Sequence, residues 1–169
     1  MRVSVISDER MGRMGWAVAI ALTLLVLALA TLPPFVPEFW RAVLMVAFDP
    51  VCHQMPDRSF LVHGEQFAVC HRCYGTFAGM LLGSVLLPLA RACDAVLYRR
   101  AGIVILIALG IPGVDWLGGI TGIWSNTALS RLLTGIVFGL AAGYYFARAL
   151  SQAFTPRSAG TTPSGELAG

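Results

Sequence analysis

Three of the four cysteines and all three histidines stand between residues 52 and 73, inside a run from 49 to 83 that reads DPVCHQMPDRSFLVHGEQFAVCHRCYGTFAGMLLG. Cys70-His71-Arg72-Cys73 is a C-x-x-C motif, and Cys52-His53 begins 18 residues upstream of it. Cys52, Cys70 and Cys73 with His53 or His71 would supply a Cys3His tetrahedron, the ligand set of a closed structural zinc site. The separation between the two halves is one that zinc modules use. The same thiols suit disulfide exchange, in which one thiolate attacks and another resolves. Cys70 and Cys73 would then be the active pair and Cys52 the relay. A plain structural disulfide is a third reading, permitted in an oxidising compartment. A covalent c-type haem is disfavoured, because Tyr74 follows Cys73 where that attachment motif requires histidine.

The motif opens a hydrophobic run, so it is expected at the start of a helix. Residues three apart there share a face, and unpaired N–H groups with a partial positive charge favour a thiolate. Arg72 adds a further positive charge. His63 lies in the polar turn His63-Gly64-Glu65-Gln66 and is expected to be solvated. Cys93 is expected to sit as a small apolar residue at a membrane edge, and Met45 and Met55 to pack. Asp57 and Glu65 are available as general bases, but nothing in the spacing positions them for hydrolysis.

The elements that must carry these residues are greasy. Of 169 residues 57% are hydrophobic and 12% charged, with a mean hydropathy of +0.73, values outside the range of soluble globular domains. All 12 basic residues are arginine and form no basic patch interleaved with aromatics, so no nucleic-acid partner is expected and the lipid bilayer is. Four apolar runs approach the roughly 20 residues a crossing helix needs: about 14–32, 69–97, 101–117 and 129–150. Pro33 and Pro34 close the first, and Pro112 is expected to kink or end the third. Residues 37–48 are too few to span and carry Trp40 and Arg41, which predicts an interfacial or re-entrant helix.

Arginine placement orients the chain. With the N-terminus cytoplasmic, Arg2, Arg10, Arg13, Arg91, Arg99, Arg100, Arg148 and Arg157 fall inside and Arg41, Arg58, Arg72 and Arg131 outside, which favours both termini inside and the cysteine stretch outside. Glycines recur four apart at Gly75, Gly79 and Gly83 and again at Gly135, Gly139 and Gly143. Such strips let helix backbones approach closely, so the second and fourth runs are expected to pack together in parallel. Homo-oligomerisation through one strip is the alternative. Asp115 follows Pro112 at the outer end of the third run, where an ion pair with Arg131 or Arg72 would neutralise it; the alternative is that it simply lies in water at the interface.

Cys52-His53-Gln54, Pro56, Arg58-Ser59-Phe60, Gly64, Cys70, Arg72-Cys73 and Gly75, with Gly79 and Gly83, resemble the signature of a family of small prokaryotic membrane proteins catalogued as domain of unknown function 2085. Asp115, Asn126, Arg131, Thr134 and Gly135 match its second block, and the resemblance covers about residues 48–143. It carries no activity to import. It does imply that the cysteines and arginines act as one unit, and His71 falls at the variable position of C-x-R-C, which favours His53 as the fourth ligand.

The resulting expectation is an all-α polytopic membrane protein of the inner membrane, with four transmembrane helices and a short interfacial or re-entrant helix. Residues 1–154 form one domain with an exterior Cys/His loop at about 49–73, and 155–169 form a disordered polar tail. Cys52, His53, Cys70 and Cys73 would bind zinc or a similar thiophilic metal, supported by Arg58, Arg72, Asp115 and Arg131. A membrane thiol-disulfide oxidoreductase and a non-catalytic subunit of a membrane complex are the alternatives.

Overall fold

A computed structural model of the chain describes residues 2–155. Helix α1 (Arg2–Thr31) ends just before Pro33 and Pro34, which open a 3-10 turn (Pro33–Phe35), because proline has no N–H to continue the ladder. Helix α2 (Glu38–Phe48) buries none of its residues and exposes Phe39, Trp40 and Val43, as a helix lying along an interface would.

A 3-10 turn (Pro56–Arg58) leads into an antiparallel hairpin, β1 (Ser59–Val62) and β2 (Glu65–Cys70). This sheet corrects the all-α expectation. His63 and Gly64 both take positive φ, 53° and 83°, the combination a two-residue turn needs to match strand twist. A register irregularity between Ser59 and Leu61 brings Ser59 opposite Cys70, at the threshold of the next helix.

Helix α3 (His71–Val85) starts two residues later than the expected second run and stops well short of 97. The reasons are local. Val69 and Cys70 belong to β2, and Pro88, inside the one-turn helix α4 (Leu87–Ala90), cannot donate to the carbonyl of Ser84. That carbonyl instead accepts from the Trp16 indole Nε1–H at 2.8 Å. A 3-10 turn (Arg91–Cys93) and helix α5 (Asp94–Arg99) follow. Helix α6 (Ala101–Ile120) contains Pro112 and continues past it, so that proline does not end the element. Helix α7 (Ala128–Ala153) is capped by Thr127, whose Oγ1 accepts from the Ser130 N–H at 3.1 Å.

The helices alternate in direction. Trp16 meets Ser84 and Thr31 meets Tyr74, so α3 runs antiparallel to α1. Gly75, Gly79 and Gly83 face Leu132, Ile136 and Leu140 in turn, so α3 and α7 run parallel, as the two glycine strips predict. A β-carbon on either Gly79 or Gly139 would stand 2.9 Å from the other's Cα, a separation only glycine permits. The strips therefore serve contact within the chain.

Among the described residues, three stretches have the length and hydropathy of a membrane span: Gly12–Thr31, Ala101–Ile120 and Ala128–Ala153. The remaining expected span, the second run, is represented by α3, whose 15 residues cover roughly 22 Å at 1.5 Å each, short of a hydrocarbon core of about 30 Å. Ile103, Leu106, Ile107 and Leu109 lie exposed on α6, the apolar surface that lipid would cover. The polar tail lies outside the described residues, except that Thr155 Oγ1 donates to the Ser151 carbonyl at 2.9 Å.

Candidate thiol centre

Cys52, Cys70 and Cys73 reach one point from three elements. Cys52 follows α2 in a turn, its N–H bonded to the Phe48 carbonyl at 3.0 Å, and is buried beside Ala30, Ala68 and Val69. Gln54 adopts a positive φ of 49°, and its Nε2 donates to the Met45 carbonyl at 2.7 Å. Gln66 Nε2 donates in turn to the Gln54 carbonyl at 3.2 Å, tying the hairpin to the Cys-His-Gln segment. Arg41 pairs with Glu65 and donates from Nε to the Pro33 carbonyl at 3.2 Å, holding the hairpin against the end of α1. Cys70 closes β2 and caps α3, and Cys73 lies in the first turn of that helix.

The three sulfurs lie within 4.8 Å of one another, and all four cysteines are free thiols. Cys70 donates its backbone N–H to Cys52 Sγ at 3.2 Å, a bond that stabilises negative charge on the accepting sulfur. Hydrogen bonds from Cys52 first, and then from Cys73, hold the Cys70 thiol far below its ordinary range. The helix N-terminus acts in the same direction.

The predicted histidines separate. His53 is exposed and stands outside the three-sulfur group, although it lines the same cleft of about 460 Å³. His71 is buried, edge-on to Phe60 with ring centres 4.4 Å apart, and its Nδ1 has no hydrogen-bond partner among the described residues. His63 is exposed at the hairpin turn, as expected. Cys93 is exposed before α5, away from the other thiols.

The supporting residues gather beside the thiols. Arg58, Arg72 and Arg131 line the cleft with the three cysteines, and a smaller one of about 110 Å³ shares those three arginines and Trp116. Of the two partners expected for Asp115, the structure selects Arg72. Asn126 Nδ2 donates to the Asp115 backbone carbonyl at 2.9 Å and to its carboxylate at 3.3 Å. This knot joins α3, α6 and the loop before α7 at the thiol end of the bundle.

Trp116 has no spacing signal that marks it as a cleft wall; only its place next to Asp115 does. A second polar cluster at the other end of the bundle escaped the sequence reading. Arg148 donates from Nε and a terminal nitrogen to both carboxylate oxygens of Asp94, at 2.7 and 3.0 Å, Tyr144 donates its hydroxyl to the same group, and Arg148 stacks 4.2 Å over Tyr98.

With this geometry in place, residues 52–145 match the family described as predicted membrane protein (DUF2085), a region holding the three cysteines of the thiol cluster and the three arginines of the cleft. The chain belongs to that family. An uncharacterised protein of Methanocaldococcus jannaschii is 30% identical over 113 residues, covering 64% of this chain and 70% of that protein. Another, from Methanothermobacter thermautotrophicus, is 30% identical over 97 residues, covering 55% of this chain and 81% of that protein. No solved structure matches the chain.

Proposed function

We propose that this DUF2085 protein is a four-span protein of the cell membrane, both termini cytoplasmic, whose exterior thiol centre binds zinc or a similarly thiophilic ion. The observation that carries the reading is the convergence of Cys52, Cys70 and Cys73 within 4.8 Å. With metal–sulfur bonds of about 2.3 Å, ligand sulfurs at tetrahedral corners would stand roughly 3.8 Å apart, so the group fits with small adjustments. The N–H bond to Cys52 Sγ is of the kind that tunes a metal-bound thiolate. His53, next in sequence to Cys52 and on the wall of the same cleft, is the proposed fourth ligand. Four protein ligands close a site, and a closed site is structural. Its role would be to pin the hairpin segment, about residues 49–73, onto α3.

The fourth span would be α3 extended by α4, lying between α1 and α7. Two features support this: its antiparallel run along α1 and the Trp16 bond that satisfies the carbonyl freed by Pro88, since backbone groups within a bilayer need internal partners. Elemental analysis of the full chain purified in mild detergent tests the metal reading. One ion per chain is expected in the wild type, and a loss to near zero in Cys52→Ser. No stoichiometric ion in the wild type refutes it.

One observation favours a second reading. Three sulfurs stand within 4.8 Å of one another and the Cys70 thiol is held below its ordinary range by hydrogen bonds from the other two, an arrangement that suits a thiol-disulfide oxidoreductase with Cys70 and Cys73 as the active pair and Cys52 as relay. Closing the Cys70–Cys73 disulfide from one thiolate and one thiol would pass two electrons and one proton to an oxidised partner, itself a disulfide or a quinone. Alkylation trapping in cells distinguishes the readings: a mixture of reduced and oxidised cysteines supports exchange, and uniformly protected, reduced cysteines support metal.

A further inference from the structure

We infer that the arginine-lined cleft beside the thiols is a binding site for a phosphate-type oxyanion. Arg58 comes from the turn before β1, Arg72 from the first turn of α3 and Arg131 from the first turn of α7, and all three line both adjoining cavities. Because α3 and α7 run parallel, their N-termini lie at the same end: a β-carbon on Gly135 would stand 3.0 Å from the Thr76 backbone nitrogen. Two partial positive helix ends therefore add to three guanidinium charges.

The carboxylates nearby meet two of those charges and not the third, which shares the cleft with the three thiols. Asp115 is engaged by Arg72 and Asn126, and Asp57 pairs with Arg58, at 3.4 Å on the surface. Among the described residues no carboxylate pairs with Arg131, which is half-buried. A cation partly removed from water costs free energy unless an anion meets it. A phosphate suits this wall, because several guanidinium groups can share its oxygens through charge-assisted hydrogen bonds. Trp116 and Ile120 give one side of the cavity an apolar face next to the exposed surface of α6, so the phosphate belongs either to a free ion or to a lipid headgroup. This inference stands on the arginines and does not require a metal at the thiols.

Calorimetric titration of the full chain in a neutral detergent tests it, with inorganic phosphate in one arm and short-chain phosphatidic acid in the other. Saturable binding is expected in at least one arm, weakened about tenfold or more by Arg131→Gln, the loss of one charge-assisted hydrogen-bonding group. Arg58→Gln, at an exposed position, should weaken the same arm and serves if Arg131→Gln does not fold. Binding of phosphatidic acid alone identifies a lipid ligand, and binding of both probes shows that the phosphate suffices. If neither probe binds saturably, or neither variant weakens binding, the arginines serve only to balance charge around the thiols and the inference fails.

Discussion

Cys52 is the residue on which the thiol centre depends, since it alone brings a sulfur from outside the C-x-x-C motif. The cysteines were legible because thiols are few and their spacing is diagnostic. The separation of His53 from the group was not, because which way the Cys-His-Gln segment faces depends on the positive φ of Gln54 and its bond to Met45. Asp115 was legible as an acid that an arginine would neutralise if it were buried; its burial, and the choice of Arg72 over Arg131, took the placement of α6 along α7 with its outer end at the start of α3. Asp115→Asn should leave the Arg72 guanidinium, 24% exposed, without its partner. A loss of about 3 kcal/mol is expected, read from thermal unfolding in mild detergent. The double variant Arg72→Gln with Asp115→Asn should recover part of that loss; a double variant no more stable than the single one would deny the pairing its energetic role.

At the scale of elements, the two glycine strips were the most informative pattern in the chain, because close backbone approach leaves a four-residue signature. The hairpin was not read. Its strands of 4 and 6 residues carry burial patterns without regular alternation, and only the His63-Gly64 turn between two apolar runs hinted at it. The early end of α3 was equally hidden, since Pro88 sits in a run that is hydrophobic throughout. In an exposed helix Gly→Ala gains up to about 1 kcal/mol of helix propensity. At Gly79 the added carbon meets backbone of α7 that cannot move aside, so overpacking should prevail. Gly79→Ala is expected to cost about 1–3 kcal/mol net, seen as a lower unfolding midpoint. An unchanged or raised midpoint would show that α3 and α7 are not in contact there.

Across the whole molecule, two polar clusters mark the two ends of an apolar bundle. One is the thiol and arginine centre; the other is the Asp94–Arg148 pair that fastens α5 to α7. The class of the protein was legible from composition alone, and the long-range pair was not, since its members are 54 residues apart and no periodicity links them. Hydrogen bonds from Arg148, and then from Tyr144, hold the Asp94 carboxyl below its usual range. Because the folded value lies below the unfolded one, the contribution is fully present above about pH 4. It is lost as pH falls through the lowered folded value. Asp94→Asn should therefore flatten the acid side of the stability profile while changing its slope little near neutrality.

The claim that the thiol end is held by a metal is tested most directly by counting reactive thiols on one sample of known metal content, before and after chelation. One fast-reacting thiol, the exposed Cys93, is expected before chelation. All four cysteines should react afterwards, with release of one ion per chain. Four reactive thiols from the start with no ion present, or fewer than four reactive thiols after denaturation without reductant, would contradict the account.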